Sequence, residues 1–286
     1  MREFIREYEY QEITVEEISQ IYKIANDYNS FYDLPRQGRG SLNDERTYLQ
    51  AFYRGQSDCL WKIIPSICRG GLVDESISES GDLLFEKMAY NQHYIQATRL
   101  IDFTTDIDVA LYFACCENFD KDAAIFIWSY SPDDSKWKRA IIQCELANIK
   151  EERISISEFA ELLFLKYPEM KGLYDYKDDF YTDIVSYLDH GFMIIQPYNP
   201  QIKNLRMQRQ KGCLYVCGVK FETPVDNMRT SINAGDNIFL PHDIVVPKEL
   251  DRGRFLVKVI IPAKLKSVIM EQLREKGITK EYLLPK

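Results

Sequence analysis

The sequence predicts an α+β fold: a mixed, mainly antiparallel sheet core with flanking helices. Apolar runs of strand length at residues 123–130, 213–221 and 255–261 make strands outnumber long helices in the second half. Segments with apolar residues at helical spacing, near 15–28 and 82–94, interrupt the first half. Strands and helices gathered in separate runs, without regular alternation, favour an α+β arrangement over a parallel doubly wound sheet.

A chain of 286 residues is long enough for one large core or two ordinary ones. Its 45% hydrophobic and 28% charged residues are those of a folded globular protein, and 19 tyrosines with 15 phenylalanines supply packing bulk. The net charge of -8 argues against a broad footprint on nucleic acid or anionic membrane, while leaving room for a local basic patch. Seven cysteines without zinc-finger spacing read as reduced thiols, and three scattered histidines give no metal-ligand set, so no metal is expected. No long apolar run is present, so neither a signal peptide nor a membrane span is expected and the expected location is cytoplasmic.

In chain order, Thr14-Val15-Glu16-Glu17 reads as a capping box for a helix over residues 15 to 28. A loop with Pro35, Gly38 and Gly40 follows, so residues 1–44 are expected to pack on the core as an N-terminal helix and loop. The main domain is expected over 45–286. Phe52 and Tyr53 favour a strand, Gly55 permits unusual backbone angles, and Arg54 between them is a cation at a strand end. Its planar fork suits a phosphate or a carboxylate, and a structural ion pair would account for it equally. Trp61, Ile63 and Ile64 read as a buried anchor before Pro65, and Arg69 is a second arginine ahead of Gly70-Gly71.

His93, Arg99, Asp102, Thr104 and Thr105 crowd a strand, a turn and a helix start, with Thr105 placed to cap against Asp108. Each also has a plain explanation: a helix-end cation, an Arg99–Asp102 ion pair, caps. Residues 150–200 read as a helical insertion or subdomain, opened by a Ser155/Glu158 capping box. Residues 203–211 hold four cations without an acid, fit for phosphate or RNA or simply a solvated loop. A closing helix over about 263–276 ends at Gly277.

These residues resemble the FRG domain family, named for a Phe-Arg-Gly motif. Here the motif is Tyr53-Arg54-Gly55, with Gln56 after it. The resemblance continues through Leu60-Trp61, Pro65-Ser66, Arg69, Gln92-His93-Tyr94, the stretch from Thr98 to Thr104, and the run from Val109 to Ala114. It returns at Arg206 and Gln210-Lys211-Gly212. It implies a bacterial or phage setting, and the order of parts further resembles an ADP-ribosyltransferase fold with NAD as substrate. On that resemblance Arg54, His93 and Gln210 are catalytic candidates. Tyr53, Gln56, Arg69, Thr98, Arg99, Asp102, Thr104, Thr105 and Tyr112 are substrate-binding candidates. Arg54 would hold phosphate, and Thr104 or Thr105 would support the ribose. Gln210 stands where such enzymes carry a glutamate, and an amide cannot supply that negative charge. The other reading is a module that senses a nucleotide or RNA without chemistry. Its protein partner is unknown.

Overall fold

The computed structural model describes residues 11–29, 50–66, 98–130, 137–149, 153–189, 191–195, 205–221, 237–245 and 256–285. A seven-stranded sheet runs in the order β1 (Gln11–Thr14), β10 (Leu256–Ile261), β4 (Ala123–Tyr130), β2 (Gln50–Gln56), β3 (Leu100–Thr104), β7 (Gly212–Val216), β6 (Phe192–Ile195). Only β1 against β10 is parallel; every other neighbouring pair in this sheet is antiparallel. A second sheet joins β5 (Arg153–Ser155), β9 (Asn237–Val245) and β8 (Gly218–Phe221). The α+β class and the mainly antiparallel sheet therefore stand.

One face of the large sheet turns Ala51, Tyr53, Ile125, Ile127, Val257 and Val259 toward helices α1 (Ile18–Tyr28), α2 (Ile107–Cys115) and α8 (Ala263–Glu275). Alternate residues of the same strands, Phe52, Phe126, Trp128 and Leu256, join Phe103 and Tyr215 in a second core on the opposite face. Trp128 lies between the rings of Phe103 and Tyr215, with centroids 5.8 and 5.1 Å away.

A third core belongs to the helices α3 (Trp137–Glu145), α4 (Ile156–Lys166), α5 (Pro168–Lys171) and α6 (Lys177–Asp189), with Val219 and Phe221 of β8. This helical body begins at residue 137, earlier than the expected 150. Arg99 ties it to the sheet: wholly buried, its guanidinium donates to the side-chain and main-chain oxygens of Gln143, whose amide donates to Tyr187 O at 2.6 Å.

The Ser155 capping box forms as expected, Ser155 Oγ accepting from Glu158 N while Glu158 accepts from Ser155 N. Thr14 caps nothing, because it ends β1 opposite Ile260; the helix starts after Glu17, boxed with Gln20. Thr105 does not cap α2 either. Asp106 does, accepting from Asp108 N at 2.9 Å. The apolar run expected as one strand over 213–221 divides at Cys217 into β7 and β8, which belong to different sheets. Gly277 closes α8 with φ of 78°, the left-handed backbone expected past a helix end.

Gly55 has no left-handed backbone angle to justify it. A Cβ there would stand 1.9 Å from Ala110 O and 2.7 Å from Ala114 N, so the glycine lets α2 seat directly on β2. Trp61 is not a buried anchor: it is 47% exposed and Leu60 83%, whereas Ile63 is buried. Asp58 causes this, since Leu60 N and Trp61 N donate to its carboxylate and carbonyl and turn the chain outward.

Candidate functional site

Along β4, strand β2 pairs without interruption from Gln50 to Gln56. Against β3 it makes a single pair, Tyr53 with Thr104. A cavity of about 880 Å³ opens beside that break. Its wall takes Tyr53 to Ser57 from β2 and the turn after it, Asp102 to Thr104 from β3, and Val109, Ala110, Tyr112 and Phe113 from α2. Leu60, Trp61 and Lys62 stand on one side, and Lys280 and Leu284 on another.

Arg54 Nη1 donates to Asp102 O at 2.7 Å, so the guanidinium takes a carbonyl of the strand that β2 has ceased to pair with. A guanidinium carries five N–H donors, and this bond orients the fork at the cleft. Gln56 is 4% exposed; its Nε2 donates to Lys62 O at 3.3 Å, while Oε1 is buried with no hydrogen-bond partner among the described residues. A buried acceptor left in that state costs on the order of 1–3 kcal/mol.

Gln210 reaches the same cavity from the turn between α7 (Leu205–Arg209) and β7. Its Nε2 donates to Leu283 O at 3.0 Å, which leaves the amide oxygen as the acceptor end. Thr104 fixes the backbone at this point: its hydroxyl donates to Gln210 O at 2.7 Å and accepts from Asp106 N at 3.0 Å. Thr105 N donates to Lys211 O at 3.1 Å, and the Lys211 ammonium meets the Asp106 carboxylate at 2.7 Å. Lys211 holds φ of 44°, a left-handed backbone unusual for a side-chain residue, at the turn that delivers Gln210. Its ammonium is pushed up in pKa by Asp106.

Burial, with Asp106 nearby, pushes the Tyr53 hydroxyl up to about 12. Burial also raises Tyr112 and Cys116, so these cavity groups stay neutral at physiological pH. The charges in the wall are Arg54, Lys62 and Lys280 against Asp102 and Glu117.

Arg54, Gln210, Tyr53, Gln56, Asp102, Thr104 and Tyr112 thus come together at one cavity. Thr98, Arg99 and Thr105 stand apart from its wall. Thr98 is buried, its N–H donating to Ser66 Oγ at 3.0 Å and its hydroxyl accepting from Leu100 N at 3.0 Å. Arg99 holds Gln143. His93, Arg69 and the helix expected over 82–94 lie outside the described residues. Within the basic segment, Arg206 Nε donates to Pro285 O at 3.4 Å. Arg209 donates to Tyr282 O at 3.1 Å and stacks over that ring. These arginines bind the carbonyl end of α9 (Lys280–Leu283), as cations at a helix C-terminus do.

The sequence reading passed over Lys62, Glu117, Lys280 and Leu284, and took Trp61 for core. Only the exposed pair Leu60-Trp61 beside a turn-forming Asp58 could have signalled a rim. Among the described residues no cluster of His, Cys, Asp or Glu could hold a metal ion, and no helix is long and apolar enough to cross a membrane.

No curated protein and no solved structure matches the chain significantly. Residues 72–123 match the family model of the FRG domain; the match takes in β3 and α2, the strand and helix that wall the cavity, while Tyr53-Arg54-Gly55 precedes it. The chain carries an FRG domain.

Proposed function

We propose that the cleft between β2 and β3 binds a nucleotide of the NAD kind, with Arg54 at the phosphates and the Gln210 amide oxygen at a ribose hydroxyl. The observation that carries this reading is the gathering of Arg54, Gln56 and Gln210 on one cavity of about 880 Å³. That size lies within the range of small-molecule sites, and a nucleotide offers both the anion for the arginine and the hydroxyl donors for the amide acceptors. Thr104 acts through the position of Gln210, because its hydroxyl already donates to that backbone.

The chemistry proposed for the site is transfer of ADP-ribose. The bond from ribose C1 to the nicotinamide nitrogen breaks, and nicotinamide leaves with the electron pair. An acceptor oxygen, from water or a macromolecule, bonds to C1 and gives up its proton to solvent. The carbon becomes cation-like on the way, and Asp102 and Glu117 are the carboxylates of the cavity wall that can face it, a task the neutral Gln210 cannot perform.

The test is incubation of purified protein with labelled NAD, alone and with cell extract, following nicotinamide release and label transfer. Turnover is expected in the parent chain, with more than tenfold loss in Arg54→Ala, a variant that still unfolds cooperatively, at a midpoint lowered by the lost bond to Asp102 O. Binding of intact NAD without turnover would make the domain a nucleotide sensor. Absence of binding at millimolar NAD would overturn the reading.

A further inference from the structure

Resting on the nucleotide reading above, we propose that Gln56 and Trp61 form a subsite for an amino-bearing purine, the base of an adenine nucleotide. The two residues are joined through the backbone: the Gln56 amide donates to Lys62 O at 3.3 Å, next to Trp61 in the chain. That bond fixes which end of the amide is nitrogen and therefore which end accepts. The accepting end, Oε1, is buried and among the described residues has no partner, in a residue that lines the cavity. An N–H or O–H of a ligand in the cavity would complete it.

Trp61 supplies the other half. The turn that carries it is tightly held, with the Asp58 carboxylate accepting from Leu60 N at 3.0 Å and from Lys121 Nζ at 2.7 Å, and Cys59 N donating to Asp122 O at 2.8 Å. Leu60 and Trp61 are nevertheless left 83% and 47% exposed at the cavity wall. A rigid turn that presents an indole to solvent beside a cavity is a surface for stacking a flat ring. A bicyclic purine covers an indole better than a single ring does. Its exocyclic amino group donates where Gln56 accepts, whereas a 6-keto group would set oxygen against oxygen.

The experiment is calorimetric titration of the full chain with ADP and with IDP, which share the ribose and diphosphate and differ at the 6-position of the base. ADP is expected to bind at least tenfold more tightly than IDP. Gln56→Leu is expected to remove that preference. Trp61→Leu is expected to weaken both ligands by a similar factor, about 5-fold to 100-fold, and to keep the preference. Equal affinity of the parent chain for ADP and IDP overturns the subsite and leaves the nucleotide reading standing. Failure of both to bind at millimolar concentration overturns both. The parent-chain comparison needs no substitution, so misfolding of a variant cannot obscure it.

Discussion

Along its β4 edge, β2 finds a partner for every residue from Gln50 to Gln56, whereas along its β3 edge only Tyr53 does, opposite Thr104. The same seven residues therefore face a closed ladder on one side and an open one on the other. The difference lies in what stands opposite. β4 is an apolar strand held in the middle of the sheet, between β10 and β2. β3 pairs with β7 along its whole length, Leu100 to Thr104, and is anchored ahead of its start by Arg99 on Gln143, but it meets β2 only at its last residue. A sheet can thus make a cavity by withholding one partner, and the arginine beside the break takes over a main-chain acceptor there.

The seat of α2 on β2, which backs both ladders, is the one to break first. In Gly55→Ala the new methyl meets backbone of α2 on two sides, and neither atom can rotate away. A loss of about 3 kcal/mol or more is expected, measured as a fall in urea midpoint. A midpoint like that of the parent chain would mean that α2 does not sit against β2 as described.

The open end is held by Lys266, and removing it sharpens the contrast. Lys266 is wholly buried and its ammonium donates to Ser57 O at 2.8 Å, Asn118 O at 2.7 Å and Glu117 O at 3.0 Å. It joins the end of β2 to the end of α2. Lys266→Met keeps the apolar stem and strips three carbonyls of a donor, for a loss of about 2 kcal/mol. An unchanged midpoint would show that water replaces the ammonium there.

The smallest effect tests the one pair that closes β2 on β3. Tyr53 ionises near pH 12 in the folded chain and near 10 when unfolded. The unfolded state therefore loses its proton first, and stability contributed by the neutral hydroxyl is intact below pH 10 and declines as pH rises toward 12. Tyr53→Phe should lessen the alkaline decline in that window and leave stability below pH 9 almost unchanged. An identical alkaline profile in both proteins would place the Tyr53 hydroxyl in solvent.

Features with local causes were legible in the sequence. Ser155 and Glu158 form their box, Gly277 ends α8, and the apolar run of 123–130 is β4, because each is decided by neighbours a few residues away. Features decided by distant partners were not. Thr14 looked like a cap until β10 claimed it for the sheet, and Gly55 looked conformational until α2 arrived on top of it. In the site, Arg54, Thr104 and Gln210 could be named from motif residues. Lys280 and Leu284 could not, since they reach the cavity only through the docking of α9 under Arg209 and Gln210.

The place of β10 between β1 and β4 sets a timetable for synthesis. β4 emerges from the ribosome with one long apolar edge whose partner, Leu256–Ile261, has not yet been made. At about 5–20 residues per second that edge waits on the order of ten seconds, and β1 waits longer still. An unpaired strand of this composition invites other chains to add to it. The newborn chain is thus a natural client for a holdase during elongation, and its yield should depend on translation speed more than the stability of the finished sheet would suggest.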